Sequence, residues 1–426
     1  MSESNIHDQV RHHFCNDDAA GIREALTKFP ALKSLINEPT GDFNSPPIVN
    51  VRSREMLDVL LDAGADINAK SRWWAGGFGL LHSAPPDLAA YAIERGATVD
   101  IHAAARLGLF DKLRELISAD PASVHARGGD GQTPLHFAST IEIAEYLLDH
   151  GAAIDALDVD HVSTPAQYMV RDRPAIARFL VARGCKTDLL MAAALGDIER
   201  AKKLLDADPA SIRLRVSDEY FPLIGGQNGG QCGGTIYQWT LGWYVSAHQV
   251  AREFGHDEMF KLLMDRSPSE VKLITACWLG DEAAVASLIA AEPDLVEQMR
   301  DEDRRQIAHA ARNNNLPSVG LMSQIGLPVN TTSQHLATPL HWAAFHGNAE
   351  MAELLLARNP PLEVKDADFQ GTPLGWAIHG SENGCNRTTG NYSKTVESLL
   401  RAGAKAPAEI CGTEEVRHVL LRQDHK

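Results

Sequence analysis

Two histidines stand in the same short motif and are the first residues of this sequence that could do chemistry. The motif reads Thr-Pro-Leu-His at 133–136 and again at 338–341, so His136 and His341 hold equivalent places. A histidine can act as a general base beside a serine or cysteine nucleophile. Neither histidine has a serine or cysteine nearby in a recognisable nucleophile context. The sequence therefore predicts no catalytic residue and favours a structural role for both.

Pairs of aspartates two residues apart are a second candidate for chemistry. One pair is Asp158 and Asp160, followed by His161, and others fall at 301–303 and 366–368. Carboxylates at this spacing could bind a divalent cation. Aspartate is also common in hairpin turns, because its side chain accepts hydrogen bonds from nearby backbone N–H groups. The turn interpretation is favoured, and no metal site is predicted.

Two stretches combine glycines with aromatic residues. The first reads Trp-Trp-Ala-Gly-Gly-Phe at 73–78, and the second covers 217–245 and contains a glycine-rich run at 225–234. That run lacks the GxxxxGK[ST] pattern of a phosphate loop. A mobile linker is one interpretation, but aromatic side chains are costly in a linker, and departures from local sequence rules cluster at functional sites. The residues predicted to bind a partner here are Trp73, Trp74, Tyr237 and Trp239.

The elements that must position these residues are repeated pairs of helices. The clearest copy begins with Thr-Pro-Leu-His-Trp-Ala-Ala-Phe-His-Gly-Asn at 338–348 and continues with Glu-Met-Ala-Glu-Leu-Leu-Leu-Ala-Arg at 350–358. Its two halves return at 133–138 and 142–152. Leucines and isoleucines at i, i+3 and i+4 give the outer helix one apolar stripe. A two-helix unit cannot bury that stripe alone, so the copies must stack into a solenoid.

This pattern resembles the ankyrin repeat family over essentially the whole chain, most strongly at 101–215 and 270–405. The resemblance implies an all-α solenoid with short hairpin or loop connections. It also implies that the motif residues, including His136 and His341, hydrogen-bond locally and to the adjacent repeat. Most members of the family bind other proteins through a concave face, so a protein partner is expected.

A longer period groups the repeats in threes and predicts about 12 repeats in one solenoid over 1–424. The predicted modules cover 9–99, 101–187, 189–270 and 273–405. The aromatic segment 217–245 takes the place of the middle repeat in the third module. An inserted loop is predicted at 380–393, and a C-terminal cap at 409–424.

The resemblance also indicates which positions face the concave groove, namely those just before the glycine that ends the inner helix. Aromatic and arginine side chains at exposed positions are typical of binding surfaces. The alternative is that neighbouring inner helices cover them. His309, Trp342 and Trp376 form an aromatic stripe that is interpreted as core packing. The groove residues predicted to bind are Arg106, Phe254, Trp278, Arg312, Phe345, His346 and His379.

Composition limits the classes of partner. The chain has 56 acidic against 40 basic side chains and a formal net charge of −16. This charge repels nucleic acid and anionic membranes, and it favours a partner with a basic surface. The six cysteines lack CxxC spacing, which argues against a zinc site and fits a reducing cytoplasm. No secretion signal or membrane-spanning run is predicted.

The sequence thus predicts a cytoplasmic interaction module, without a cofactor, that binds a protein partner through the concave groove and the two irregular stretches. The alternative is an enzyme, or a protein that binds a small molecule or glycan, with its site in the histidine- and tryptophan-rich groove. A binding protein is favoured over an enzyme, because no arrangement of residues assigns a base and a nucleophile.

Overall fold

The computed structural model of the protein describes residue 10 and residues 12–223 and 232–423. Within these residues the regular secondary structure is helical, and the isolated β-bridges include Gly41 with Ser45 and Lys70 with Gly79. The predicted all-α class is therefore confirmed. Most of the glycine-rich run predicted at 225–234 lies outside the described residues, as do the first residue of the predicted first module and the last residue of the predicted cap.

The chain forms two compact units. Unit 1 comprises residues 1–201 and 214–245, and unit 2 comprises residues 202–213 and 246–426. The helices up to the unit boundary are α1 Ala19–Lys28, α2 Arg54–Asp62, α3 Pro86–Glu94, α4 Ile101–Leu107, α5 Phe110–Ala119, α6 Pro134–Phe137, α7 Ile141–Asp149, α8 Pro165–Met169, α9 Pro174–Ala182, α10 Leu189–Leu195 and α11 Ile198–Ala207, and α12 Tyr237–Thr240 belongs to the returning segment of unit 1.

The remaining helices belong to unit 2. They are α13 Ala247–Glu253, α14 Asp257–Arg266, α15 Ser269–Leu279, α16 Glu282–Ala291, α17 Asp301–Arg304, α18 Gln306–Arg312, α19 Leu316–Gln324, α20 Pro339–Phe345, α21 Ala349–Leu356, α22 Pro373–Asn383, α23 Tyr392–Arg401 and α24 Glu414–Gln423. Short 3₁₀ turns fill several connections, at Pro30–Leu35, Asp42–Asn44, Pro47–Asn50, Leu80–His82, Pro121–His125, Gly129–Gly131, Pro209–Arg213 and Gln334–Leu336.

The pair α4–α5 illustrates why these sequences fold as helical hairpins. Asp100 caps α4 by accepting a hydrogen bond from the Ala103 N–H at 2.9 Å. Gly108 ends the helix with φ +72°, a left-handed conformation that favours glycine. The outer helix α5 then buries Leu113 and Ile117, four residues apart on one face.

Successive hairpins stack in two layers within each unit. In unit 1 the inner helices α4, α6 and α8 pack side by side, as do the outer helices α7 and α9. In unit 2 the inner helices are α18, α20 and α22, and the outer helices are α19, α21 and α23. The cap predicted at 409–424 contains α24, which packs on α23. This stacking is what a repeat with one apolar face requires.

Three segments differ from the sequence-based expectation. The helix α22 extends to Asn383, so the predicted insertion at 380–393 leaves the helical repeat only between 384 and 391. In the described parts of the segment 217–245, at 217–223 and 232–245, the regular helix is one turn, α12. The predicted hairpin tip at 301–303 is part of helix α17, and Asp303 is buried in an ion pair with Arg213 at 2.8 Å. Among the described residues, no helix is long and apolar enough to cross a lipid bilayer.

Candidate functional site

The motif histidines are structural, as the sequence predicts. The side chain of Thr133 contacts His136 Nδ1 at 3.0 Å, and His136 Nε2 lies 3.2 Å from the Ser163 carbonyl oxygen of the next hairpin. His341 makes the same bridge to the Gly371 carbonyl oxygen at 3.2 Å. Burial lowers the pKa of His136 to about 3 and also lowers the pKa of His341, so both imidazoles are neutral. Each histidine joins two repeats and is removed from solvent.

Unit 2 carries a set of exposed and partly exposed side chains that we call the aromatic face. Phe345, near the end of α20, stacks on His379 of α22 with ring centroids 6.5 Å apart and an angle of 20° between the rings. On the preceding inner helix, the Arg312 guanidinium lies 5.5 Å from the ring centroid of Trp342. The residues that define the aromatic face are Arg312, Leu336, Phe345, Phe369 and His379.

Two neighbouring hairpin tips extend this face. The Ala367 N–H donates to the His335 carbonyl oxygen at 2.7 Å, which holds the two tips together. Leu336 on one tip is 60% exposed, and Phe369 on the other is 70% exposed. The sequence-based prediction did not include either residue. Both belong to turns with left-handed backbone, at Leu336 (φ +54°) and Gln370 (φ +55°), and the repeat pattern does not indicate where such turns direct their side chains.

Trp342 and Trp376 form the buried floor beneath the aromatic face. Their ring centroids are 5.0 Å apart with the rings nearly perpendicular, the edge-to-face arrangement that aromatic pairs prefer. The Trp342 N–H donates to the Ser333 hydroxyl at 2.8 Å, and the Trp376 N–H donates to Asp366 Oδ2 at 2.9 Å. The interpretation of these tryptophans as core packing is confirmed.

Several predicted groove residues are covered by neighbouring helices, the alternative that the sequence left open. Trp278 is 6% exposed, and its N–H donates to Gln306 Oε1 at 2.9 Å. His346 is buried with Nε2 2.8 Å from the Arg312 carbonyl oxygen. Phe254 is half-buried. Little of the side chains of Trp278 and His346 therefore reaches solvent.

The predicted binding residues of unit 1 also differ in how far solvent reaches them. Tyr237 is fully buried and its hydroxyl donates to Asp188 at 3.0 Å, whereas Trp239, two residues later on the same turn, is 73% exposed. Arg106 is half-buried and donates to the carbonyl oxygens of Leu81 and Ser83, and burial lowers its pKa. The two remaining predicted residues, Trp73 and Trp74, are half-buried and in ring contact with each other.

The two irregular stretches converge on one pair of hairpin tips in unit 1. The Val159 N–H donates to the Asp130 carbonyl oxygen at 2.8 Å, which joins the tips in the same way as in unit 2. A Cβ added at Gly129 would lie 2.2 Å from the Phe78 ring, so the first stretch packs directly against one tip. The Gly233 N–H donates to Asp160 Oδ1 at 2.8 Å, so the second stretch covers the other tip.

Asp158 organises the turn beneath the second stretch. It accepts hydrogen bonds from the N–H groups of Ser163 (2.7 Å) and His161 (2.8 Å) and from the Tyr168 hydroxyl (3.0 Å). The turn interpretation of this aspartate is confirmed. Burial raises the pKa of Asp158 despite these hydrogen bonds. The side chains of Asp130, Asp160 and His161 lie next to it and are not part of that hydrogen-bonded turn.

Comparison with known proteins places the repeats in a family. The model of ankyrin repeats (3 copies) matches residues 101–191, 247–366 and 307–406. Over 103 residues the chain is 31% identical to the E3 ubiquitin-protein ligase XB3 of Oryza sativa subsp. japonica, a match that covers 24% of this chain and 23% of the relative. Over 153 residues it is 28% identical to the probable E3 ubiquitin-protein ligase XBOS31 of the same plant, covering 36% of this chain and 32% of the relative. The similarity therefore spans a quarter to a third of these relatives.

Proposed function

The chain belongs to the ankyrin repeat family, and we propose from this premise that it is an interaction module whose aromatic face in unit 2 binds a protein partner. The proposal rests first on the exposure of Leu336 and Phe369 on adjoining hairpin tips. Exposed apolar side chains that lie side by side mark interaction surfaces. Both stand on a rigid stack of helices, so a partner would meet an already ordered surface and lose little entropy on binding.

The charges around the face favour a partner that carries both apolar and cationic groups. Asp368 lies next to Phe369 and is itself more than half exposed. The whole chain has a formal net charge of −16, which attracts a basic surface over long range. Arg312 and His379 add polar contacts at the inner edge of the face. The proposed partner therefore inserts an apolar side chain between the tips and places a basic residue near Asp368.

Cellular location and ubiquitin-ligase activity rest on observations other than the aromatic face. We also propose that the protein is cytoplasmic, which its six free cysteine thiols support. The names of the two rice relatives describe ubiquitin ligases, but the matched segments span a quarter to a third of those proteins. Ligase activity is therefore not part of the function proposed for this chain.

The test uses the intact chain as bait in a pull-down followed by cross-linking. The double substitution Leu336→Ala with Phe369→Ala should lower partner recovery at least tenfold while leaving the circular dichroism spectrum unchanged, because both side chains are exposed. Leu421→Ala is the matched control, since Leu421 is an exposed leucine of unit 2 outside the face. Equal recovery by the double variant and the wild type would contradict the proposal.

The alternative of a small-molecule site is tested on the same samples. A metabolite thermal-shift screen should show no stabilisation that depends on Phe345 and His379. A ligand that raises the melting temperature of the wild type, and not of the variant with both residues replaced by alanine, would favour the small-molecule function instead.

A further inference from the structure

We propose that Asp130, Asp160 and His161 of unit 1 form a binding site for one divalent transition metal ion, with Zn²⁺ as the best fit. One oxygen of each carboxylate and one ring nitrogen of the histidine lie within 4.8 Å of one another. These three residues come from two neighbouring hairpin tips whose backbones are hydrogen-bonded together. The tips therefore fix the relative positions of the ligands before any ion binds.

The histidine is held in the tautomer that a metal requires. Its Nδ1 lies 2.8 Å from the Gly234 carbonyl oxygen, which can only accept, so Nδ1 carries the proton. The lone pair of Nε2 is then free, and Nε2 lies 3.8 Å from Asp160 Oδ2. An imidazole that donates one N–H to a backbone carbonyl and turns its other nitrogen to an ion is the usual arrangement at metal centres.

Both carboxylates keep an oxygen without a hydrogen bond. The side chain of Asp160 is 8% exposed, and only Oδ1 accepts a hydrogen bond, from the Gly233 N–H. The Asp130 carboxylate accepts no hydrogen bond from the described residues, and its Oδ1 is buried. The Trp73 N–H lies near enough to lower the pKa of Asp130, but it does not reach hydrogen-bond geometry. Buried carboxylate oxygens in this state need a cation or a proton.

The charge balance around the site favours a cation. Burial raises the pKa of Asp130 to about 6, and the nearby carboxylates of Asp160 and Asp158 act in the same direction. Arg127 is the arginine of these tips, and its guanidinium donates to the carbonyl oxygens of Gly131 (2.6 Å) and Leu157 (2.5 Å). It is therefore bound to backbone. Three carboxylates and one imidazole share the space, and a divalent ion would neutralise two of the negative charges.

The ligand set selects the type of metal. Two carboxylates and one imidazole suit Zn²⁺, which at catalytic or accessible sites commonly takes three protein ligands and a water. Tetrahedral Zn²⁺ holds its ligand atoms about 3.3 Å apart, so Nε2 and Oδ2 need to approach by only about 0.5 Å. Ca²⁺ requires six to eight oxygen ligands, and Mg²⁺ prefers oxygens and water. Neither fits a site with an imidazole ligand as well as Zn²⁺ does.

A second cluster of similar composition in unit 1 lacks these properties and serves as the control. His82 Nε2 lies 3.0 Å from Asp100 Oδ2, and His82 Nδ1 accepts from the Gly79 N–H, so the proton is on Nε2 and points at the carboxylate. Lys70 Nζ also lies 3.0 Å from Asp100. Burial alone would raise the pKa of Asp100, but His82 and Lys70 hold it well below its usual range. That carboxylate is already neutralised, so we expect no ion there.

The experiment titrates the intact chain, after removal of metal with a chelator, with ZnCl₂ in an isothermal calorimeter. We expect one tight equivalent that Asp130→Asn weakens at least tenfold, the size of effect seen when a metal ligand or its support is lost. Asp100→Asn is the matched control and should leave that equivalent unchanged. MgCl₂ should give no saturable binding. Circular dichroism establishes that each variant is folded.

Co²⁺ separates this site from the thiols and other histidines of the chain. Bound at the proposed site, Co²⁺ should give a visible d–d spectrum without the thiolate charge-transfer band that cysteine ligation produces. The substitution Asp160→Asn removes the charge of the second carboxylate and keeps an oxygen that can accept from the Gly233 N–H, so it provides a second folded variant, and it too should lower the affinity. The proposal fails if the wild type binds no tight equivalent of Zn²⁺, or if Asp130→Asn retains it, or if the Co²⁺ spectrum shows thiolate ligation.

Discussion

Each unit contains a pair of hairpin tips with the same backbone hydrogen bonds, and the two pairs differ in the side chains at equivalent positions. Asp158 in unit 1 and Asp366 in unit 2 cap equivalent turns, each with its main-chain N–H bonded to a carbonyl oxygen 3.1 Å away, that of Ser163 and that of Gly371. Both turns are joined to the preceding tip by a backbone hydrogen bond. The design is therefore fixed by main-chain and capping interactions that do not depend on the exposed side chains.

The side chains at equivalent places give the two tips different roles. In unit 2, His335 Nδ1 pairs with Asp368 at 2.5 Å, and the next residue, Phe369, extends into solvent. In unit 1, Asp130 is the residue equivalent to His335, and its carboxylate lies near that of Asp160. The histidine of this tip is His161, which is equivalent to Phe369. The stretch around Gly233 covers it. One tip exposes an apolar side chain, and the other brings the carboxylates of Asp130, Asp158 and Asp160 together and is covered.

The pKa values of the two capping aspartates, Asp158 and Asp366, shift in opposite directions. Burial raises the pKa of Asp158. For Asp366, burial also favours a higher value, but the N–H of Phe369, the Trp376 indole and the N–H of Gly371 together lower its pKa. Both aspartates are buried, and the hydrogen bonds to Asp366 outweigh the effect of its burial, whereas those to Asp158 do not. A functional difference can therefore arise on a common scaffold from covering one tip and substituting two residues.

The largest expected effect tests the part that the tips share. Asp158→Ala should lower the free energy of unfolding by about 3 kcal/mol, because it leaves two backbone N–H groups and the Tyr168 hydroxyl without a buried acceptor. Asp366→Ala should destabilise the protein by a similar amount for the same reason. Urea denaturation followed by circular dichroism measures both. A cost below about 1 kcal/mol at one site only would show that the two turns are not equivalent.

The pH dependence tests a second shared feature, the motif histidines. The pKa of His136 is about 3 in the folded protein and about 6.5 when unfolded. Between these values the unfolded chain binds the extra proton, so stability falls as the pH falls below about 6.5. From pH 7 to pH 5 this histidine should cost about 2 kcal/mol, with a further loss in the same direction from His341. Replacing His136 with glutamine should remove its share of the pH dependence in urea denaturation.

The next prediction tests the contact between the stretch around Gly233 and the unit 1 tip. A Cβ added at Gly233 would lie 2.9 Å from Cε1 of His161 and 3.3 Å from Asp160 Oδ1, closer than carbon atoms pack without displacement. Gly233→Ala should therefore destabilise the protein by about 1–2 kcal/mol and increase hydrogen exchange at the N–H groups of residues 158–163. Gly79→Ala is a control in the same unit, where φ is −107° and an added Cβ would lie at an ordinary 3.7 Å from its nearest neighbour, Lys70 Cγ. Unchanged exchange at 158–163 would contradict the docking of this stretch.

Asp130→His makes the unit 1 tip resemble that of unit 2. The new imidazole should pair with Asp160 as His335 pairs with Asp368, which relieves the like-charge contact and stabilises the metal-free protein by about 1 kcal/mol. Thermal denaturation of the metal-free proteins measures this difference. A variant less stable than the wild type would refute this interpretation.

The sequence predicts the scaffold well because the scaffold depends on local patterns. The leucine and isoleucine stripe of the outer helices, the Thr-Pro-Leu-His motif and the glycines that end helices each depend on residues a few positions apart, and these predictions were confirmed. The sequence also indicated that the stretches at 73–78 and 217–245 interrupt the repeats. It could not show that both contact the tips containing Asp130 and Asp160, because that contact joins residues far apart in sequence. For the same reason Phe369 and Leu336 were missed: a turn residue can be buried or exposed, and only the neighbouring repeat decides which.

The smallest expected change in stability is the most direct test of the exposed tip. Phe369→Ala should alter the free energy of unfolding by less than about 0.5 kcal/mol, because an exposed side chain loses little apolar burial when it is truncated. His161→Ala at the equivalent place should cost more, since that ring is packed against Gly233 and held by Gly234. If Phe369→Ala costs as much as His161→Ala in urea denaturation, the phenylalanine supports the fold. If Phe369→Ala hardly changes stability and still reduces partner recovery, Phe369 serves binding and not the fold. The unit 2 tip then contacts a partner, whereas the equivalent tip of unit 1 encloses a site.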